Sequence, residues 1–315
     1  MYILGFDIGG TKCAVVTANY DGEEMRILNK EVIATDHSIC AYKMIDRMIE
    51  AADRLLERKP DKIGISCGGP LDSKRGVIIA PPNLPRWVNV EIVKYIEEHY
   101  NSPVKLQNDA NACALAEWRF GAGIGCENMM FLTFGTGLGA GLILNGRLYE
   151  GTNGNAGEIG HLRLKKDGPI GYGKSGSFEG FCSGGGLAQL GYIQALECVK
   201  SGTYPLYFKE GMSQNDITAK SIADAAAKGD PTARAVYRIS GKYLGKGLSM
   251  LIDILNPEKI VIGSIFARNQ ALFCEAMEKE IAKEALSFSA DCCQIVAARL
   301  GEAIGDYASV ATALI

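Results

Sequence analysis

Two short segments carry glycine, threonine and charge at a spacing suited to holding phosphate. In Asp7-Ile8-Gly9-Gly10-Thr11-Lys12 the paired glycines let backbone N–H groups converge on anionic oxygen, while Thr11 adds a hydroxyl and Lys12 a cation. Gly135-Thr136-Gly137-Leu138-Gly139-Ala140-Gly141 repeats the theme in the second half of the chain. Neither is a Walker loop, because the GxxxxGK[ST] spacing is absent. The second segment also matches G-x-G-x-x-A, but a dinucleotide fingerprint has to open a helix. Here it opens AGLILNG, whose β-forming residues and Asn145-Gly146 turn read as a strand and hairpin, which sets a dehydrogenase aside. The first segment alone is also compatible with an ordinary hairpin whose glycines take positive φ.

The elements around the two turns follow one plan used twice. YILGFDIGGTKCAVVTANYDG reads as strand, glycine turn, strand and DG turn, with EMRILNKEVIA as a third strand. Helical spacing of Ile45, Met48, Ile49, Ala52, Leu55 and Leu56 predicts a helix over 41–58. Strand KIGISCGG, a helix near 88–100, strand PVKLQND and a helix near 110–120 follow. The second half gives strands MMFLTFGTG, AGLILNG and RLYEG, then a loop region at 151–181. Helices near 183–200, 218–228 and 231–255, strand KIVIGS, a helix near 270–286, strand QIVAARL and a helix at 303–314 complete it. Asp230-Pro231 supplies an N-cap followed by proline in the first turn. No low-complexity linker separates the halves, so a shared hinge and cleft are expected.

Composition narrows the function classes. The 315 residues are 47% apolar and 22% charged, which excludes a disordered or fibrous chain, and no apolar run approaches the ~20 residues of a membrane span. The start MYILGFDIGG lacks the basic and apolar regions of a signal peptide, so a cytoplasmic protein is expected. A net charge of -3 offers no field for a polyanion, hence no nucleic-acid partner. Of 38 glycines, 20 lie between Gly121 and Gly186, so that segment needs bare backbone. The ten cysteines form no CxxC pair and read as reduced, small hydrophobes.

Taken together, DIGGTK at 7–12, PPNLPRW at 81–87, QNDANACALAE at 107–117, GTGLGAG at 135–141, GEIGH at 157–161 and NPEKIVIGS at 256–264 are specific. Over nearly its whole length the chain resembles the ROK family of sugar kinases and repressors. The resemblance implies an α/β protein of duplicated actin-like ATPase (ribonuclease H-like) domains, with an active-site cleft between them. The expected domains are 1–116 with 299–315, and 117–298. It further implies an ATP- and Mg²⁺-dependent, glucokinase-like enzyme that phosphorylates a hexose or N-acetylhexosamine at the 6-hydroxyl, with a homodimer as the assembly.

By that resemblance Asp109 is the catalytic base, although its place before a helix also suits an N-cap. Asn83, Asn108, Asp109, Glu158, His161 and Glu179 are the implied sugar contacts, short polar groups suited to a ring of hydroxyls. Asn83 could equally be a turn residue. Glu158 and His161 sit in a loop too glycine-rich for a stable helix, so a helical ion pair explains them poorly. ATP would meet Gly9, Gly10, Thr11, Lys12, Gly135, Thr136, Gly137, Gly139, Gly263 and Ser264, where Ser264 replaces a common second glycine. Asp7 would orient Mg²⁺ through water.

The departure from the family pattern lies at 168–179, GPIGYGKSGSFE. Relatives commonly hold zinc there, but Ile170, Tyr172 and Ser177 occupy the cysteine places, so no structural zinc is expected. Ile170, Tyr172 and Phe178 are expected to pack in its stead. A kinase-like sugar-binding regulator is the alternative reading. The chain begins at its first strand, without the helix-turn-helix domain of the repressors, which argues against DNA reading. Choice among glucose, fructose, allose, mannose, N-acetylglucosamine and N-acetylmannosamine turns on side-chain positions, which spacing does not give.

Overall fold

The computed structural model describes all residues, 1–315. The first half of the chain forms β1 (Tyr2–Ile8), β2 (Lys12–Tyr20), β3 (Met25–Ala34), α1 (Ala41–Leu55), β4 (Lys62–Cys67), the short pair β5 (Leu71–Asp72) and β6 (Val77–Ile78), α2 (Ile92–Tyr100), β7 (Val104–Asn108) and α3 (Asp109–Phe120). Then come β8 (Met129–Phe134), β9 (Leu138–Leu144), β10 (Arg147–Leu148), the hairpin β11 (Ile170–Gly171) and β12 (Lys174–Ser175), α4 (Phe178–Phe181), α5 (Gly184–Lys200), α6 (Ala219–Ala227) and α7 (Pro231–Leu255). β13 (Lys259–Ile262), α8 (Ile265–Glu284), α9 (Ser287–Asp291), β14 (Gln294–Ala297) and α10 (Ile304–Thr312) close the chain.

The two main sheets run β3-β2-β1-β4-β7 and β10-β9-β8-β13-β14, one strand order used twice. In the first, β1 to β3 are antiparallel, while β4 and β7 add parallel to β1. In the second, β8, β13 and β14 are parallel. The duplicated α/β plan expected from the sequence is therefore present. Two compact units result, Met1–Glu127 with Gly141–Ala156 and Arg299–Ile315, and Asn128–Ala140 with Gly157–Ala298.

Side-chain alternation along β1 builds both layers of the first unit. Leu4, Phe6 and Ile8 join α1 and α2 in one buried cluster, whereas Ile3 packs with Val310 and Ala313 at the α10 end. Glu117, fully buried at the end of α3, accepts hydrogen bonds from the N–H groups of Ala122, Arg299 and Leu300, tying the α3 terminus to the chain entering α10. In the second unit, Phe273 of α8 sits among Phe134, Tyr237 and Phe266 with ring centroids 4.9–5.6 Å apart. All ten cysteines are free, and Cys13, Cys67, Cys126 and Cys182 are buried. No helix is long and apolar enough to cross a membrane.

Local signals located most elements, with three revisions. RLYEG contributes only Arg147–Leu148 as strand. α8 starts at Ile265 and carries a non-helical Asn269 (φ -132, ψ 26), whose side chain donates to the Ile265 carbonyl and so competes with the helix ladder. Gly9 and Gly10 are absent from the positive-φ residues, so the turn needs them for space and not for handedness.

Candidate functional site

In the first unit the carboxyl ends of β1, β4 and β7 bring chemistry to one edge of a parallel array, where open α/β sheets place their ligands. Asp7 pairs with Ser66 across β1 and β4, and Cys67 with Asn108 across β4 and β7. Asn108, not Asp109, caps α3: its side chain accepts from the Ala110 N–H at 3.0 Å. Asp109 is the first helical residue, its Oδ1 accepting from the same N–H at 2.8 Å. Its Oδ2 lies 3.8 Å from where a Cβ on Gly68 would stand. Burial, then the carboxylates of Asp109 and Asp306, raise the Asp7 pKa from 3.8 to about 6, against the opposing charges of Lys30 and Lys12.

The first glycine turn is braced from a neighbouring segment. Gly9 N–H donates to the Lys12 carbonyl at 3.1 Å, so it closes the turn. Thr35 donates its hydroxyl to Gly9 O at 2.7 Å and its N–H to Thr11 O at 3.0 Å, and His37 Nε2 donates to Gly10 O at 2.8 Å. A Cβ on Gly10 would stand 2.7 Å from the Asn83 Cβ, so bare backbone is required for the PPNLPRW loop to rest on the turn. In that loop Leu84 and Trp87 are buried anchors and Asn83 is exposed at a turn. Thr11 and Lys12 are exposed.

The second unit repeats the construction. Gly135 N–H closes the turn onto the Gly137 carbonyl at 3.1 Å, and Gly184 N–H at the start of α5 donates to Gly135 O at 2.8 Å. Thr136 is exposed and Gly139 half-buried in β9. Ser264, directly after Gly263 at the end of β13, has its Oγ 3.5 Å from where a Cβ on Gly135 would stand. The turn, the α5 start and the β13 end therefore meet, amide donors beside a helix N-terminus. Ser264 adopts φ +58, ψ -119, a conformation that favours glycine, and makes no side-chain cap. Ser264→Gly is accordingly expected to stabilise the protein by about 1 kcal/mol, read as a slightly raised Tm in calorimetry.

Glu158, His161 and Glu179 come from the glycine-rich stretch of the same unit. Within the expected loop, Ile159–His161 form one 3-10 turn, closed by the His161 N–H onto the Glu158 carbonyl at 3.2 Å. Ile159 and Gly160 are buried beneath it, leaving Glu158 and His161 exposed. Glu179, in α4, accepts from the Leu138 N–H at 3.0 Å, and its Oε2 lies 2.8 Å from where a Cβ on Gly137 would stand. It thus joins this stretch to the second glycine turn. The expected packing of Ile170 and Tyr172 is overturned, since they are 54% and 71% exposed at a hairpin, and only Phe178 is buried, against Gly247 of α7.

Long-range partners escaped sequence reasoning. Asp306 on α10 pairs with Lys30 of β3 at 2.7 Å and bears on Asp7. Glu150 accepts from Ser73 Oγ and from Gln107 Nε2, while Gln107 Oε1 accepts from the Asn108 N–H and from Asn111, steadying the strand end that carries Asp109. The glutamine beside Asn108 was a usable signal; the others had none.

The ROK family profile matches residues 3–312. A glucokinase from Halalkalibacterium halodurans is 33% identical over 312 residues, covering 96% of this chain and 92% of that protein. A xylose repressor from Caldicellulosiruptor bescii is 29% identical over 89% of this chain and 69% of its own length. The crystal structure of a ROK family glucokinase from Streptomyces griseus in complex with glucose and AMPPNP superimposes with a TM-score of 0.78 at 30% identity, covering 100% of this chain and 99% of that one.

Proposed function

The chain belongs to the ROK family, and from that premise we propose that it is an ATP-dependent kinase transferring the γ-phosphoryl group to a hexose or N-acetylhexosamine, at the 6-hydroxyl. The observation that carries this reading is the carboxylate of Asp109 at the carboxyl edge of the first sheet, on the first residue of α3, with the side-chain cap of that helix supplied by Asn108. The glucokinase relative and the glucose- and AMPPNP-bound structure support it.

In this reading Asp109 accepts the proton of the attacking hydroxyl. Asn83, Asn108, Glu158, His161 and Glu179 hydrogen-bond the remaining hydroxyls. The amides and side chains of Gly10, Thr11, Lys12, Thr136, Gly137 and Gly139 hold the polyphosphate, with Gly9 and Gly135 shaping the turns, and Gly263 and Ser264 border the adenosine. Asp7, which feels the carboxylates of Asp109 and Asp306 as well as the cations of Lys30 and Lys12, would offer an oxygen acceptor to Mg²⁺ held through water. When bound, that ion neutralises charge on the transferring phosphate. We take the active species to be a cytoplasmic homodimer acting on a small-molecule sugar without nucleic acid or membrane.

A coupled ADP-release assay over glucose, fructose, allose, mannose, N-acetylglucosamine and N-acetylmannosamine tests this, with Mg²⁺-dependent turnover of at least one sugar as the expected result. Sugar binding without ADP release from any of them would overturn it. That outcome would favour the second reading, a non-phosphorylating sugar-binding regulator, which the likeness to the xylose repressor supports.

A further inference from the structure

We propose that Tyr172 is a positioning residue for His161, setting the imidazole through an edge-to-face ring contact in a loop built without a metal. The proposal rests on the reading of His161 as a sugar contact. The ring centroids lie 5.1 Å apart at an interplanar angle of 84°, within the range of favourable aromatic pairs.

The donors that a zinc ion would need are missing from this loop. Ile170 has no donor atom and is exposed. Ser177 is fully buried, its hydroxyl accepting from the Gly180 N–H at 3.0 Å as the cap of α4. A tetrahedral site of thiolates and imidazoles therefore does not fit these residues. Hydrogen bonds hold the loop in their place. Gln189 grips the Ile170 backbone at both its N–H and its carbonyl, at 2.8 and 2.7 Å. Ser175 Oγ bonds both the N–H and the carbonyl of Gly168, and Arg163 donates to the Ser175 carbonyl at 2.7 Å. Lys174 Nζ donates to the His161 carbonyl at 2.6 Å, so the hairpin is fastened to the His161 backbone as well as to its ring.

At the tip, Gly171 pairs with Lys174, leaving Tyr172-Gly173 as a two-residue turn with φ of +46° and +75°. Asparagine or glycine is the ordinary residue at the first of these positions, because Cβ is penalised at positive φ. A tyrosine there carries strain, and at 71% exposure it gains little from burial. What the ring obtains in return is its contact with His161.

Tyr172→Asn suits the turn and deletes the ring, so folding is not at stake, while Tyr172→Phe keeps the ring. In NMR spectra the carbon-bound ring protons of His161, assigned by their loss in His161→Gln, are expected to move in Tyr172→Asn and to stay near their original positions in Tyr172→Phe. The sugar KM should rise two- to tenfold in Tyr172→Asn, with kcat and the ATP KM within about twofold, and return to the wild-type value in Tyr172→Phe. Unmoved His161 signals in Tyr172→Asn would overturn the proposal, as would an unchanged sugar KM in an active enzyme or one zinc per chain in metal analysis. The NMR measurement needs no turnover, so a chain that phosphorylates no sugar fails the kinase reading while the ring contact is still decided.

Discussion

Asp109→Asn is expected to lower kcat by about 10²–10⁴-fold while sugar affinity stays within about tenfold. The asparagine can keep the contact that Oδ1 makes with the Ala110 N–H, and α3 keeps its cap because Asn108 supplies it. Helix stability is thus separated from chemistry at this position. Loss of the negative charge also removes one of the carboxylates that raise the Asp7 pKa, so the variant should be at least as stable as the parent. Coupled ADP release measures the first effect and titration calorimetry with the sugar the second. Turnover close to the parent value would remove Asp109 as the base.

The same separation shows what a linear sequence can and cannot disclose. That a residue between Gln107 and Ala110 caps a helix follows from local rules, but spacing alone does not say whether Asn108 or Asp109 does so. The cap geometry decides it. The turn at Asn145-Gly146, with φ of +52° and +66°, and the α7 start at Asp230-Pro231 were legible for the same reason: their physics spans four residues. The pair Lys30–Asp306 joins residues 276 apart, and the bond that the Leu138 N–H donates to Glu179 depends on how α4 seats against β9. Such contacts are products of tertiary packing, so no local pattern announces them. At 168–179 the sequence disclosed the missing thiolates but misplaced their replacements: a two-residue hairpin turns Ile170 and Tyr172 outward, where an apolar plug had been expected.

Asp7→Asn should trade activity for stability, and the sign of the stability change follows from its pKa. In the folded protein the group titrates near 6, against 3.8 for an unperturbed carboxyl. Below about pH 4 the carboxyl is protonated in both folded and unfolded chains and contributes no difference. Between pH 4 and 6 the unfolded chain releases the proton while the folded chain retains it, so folding stability falls as pH rises. Above pH 6 the full penalty remains, on the order of 2 kcal/mol for a partly buried group in the absence of Mg²⁺. An asparagine cannot ionise. The variant's Tm advantage over the parent, measured in chelator, should therefore be small at pH 4, open between pH 4 and 6, and reach a few degrees at pH 7. Added Mg²⁺ should stabilise the parent more than the variant, because binding to the folded state alone draws on the Asp7 charge. On the proposed role of Asp7 in orienting Mg²⁺, turnover should fall about 10²–10³-fold. A Tm difference that does not change from pH 4 to 7 would show that burial and the carboxylates of Asp109 and Asp306 do not raise the Asp7 pKa.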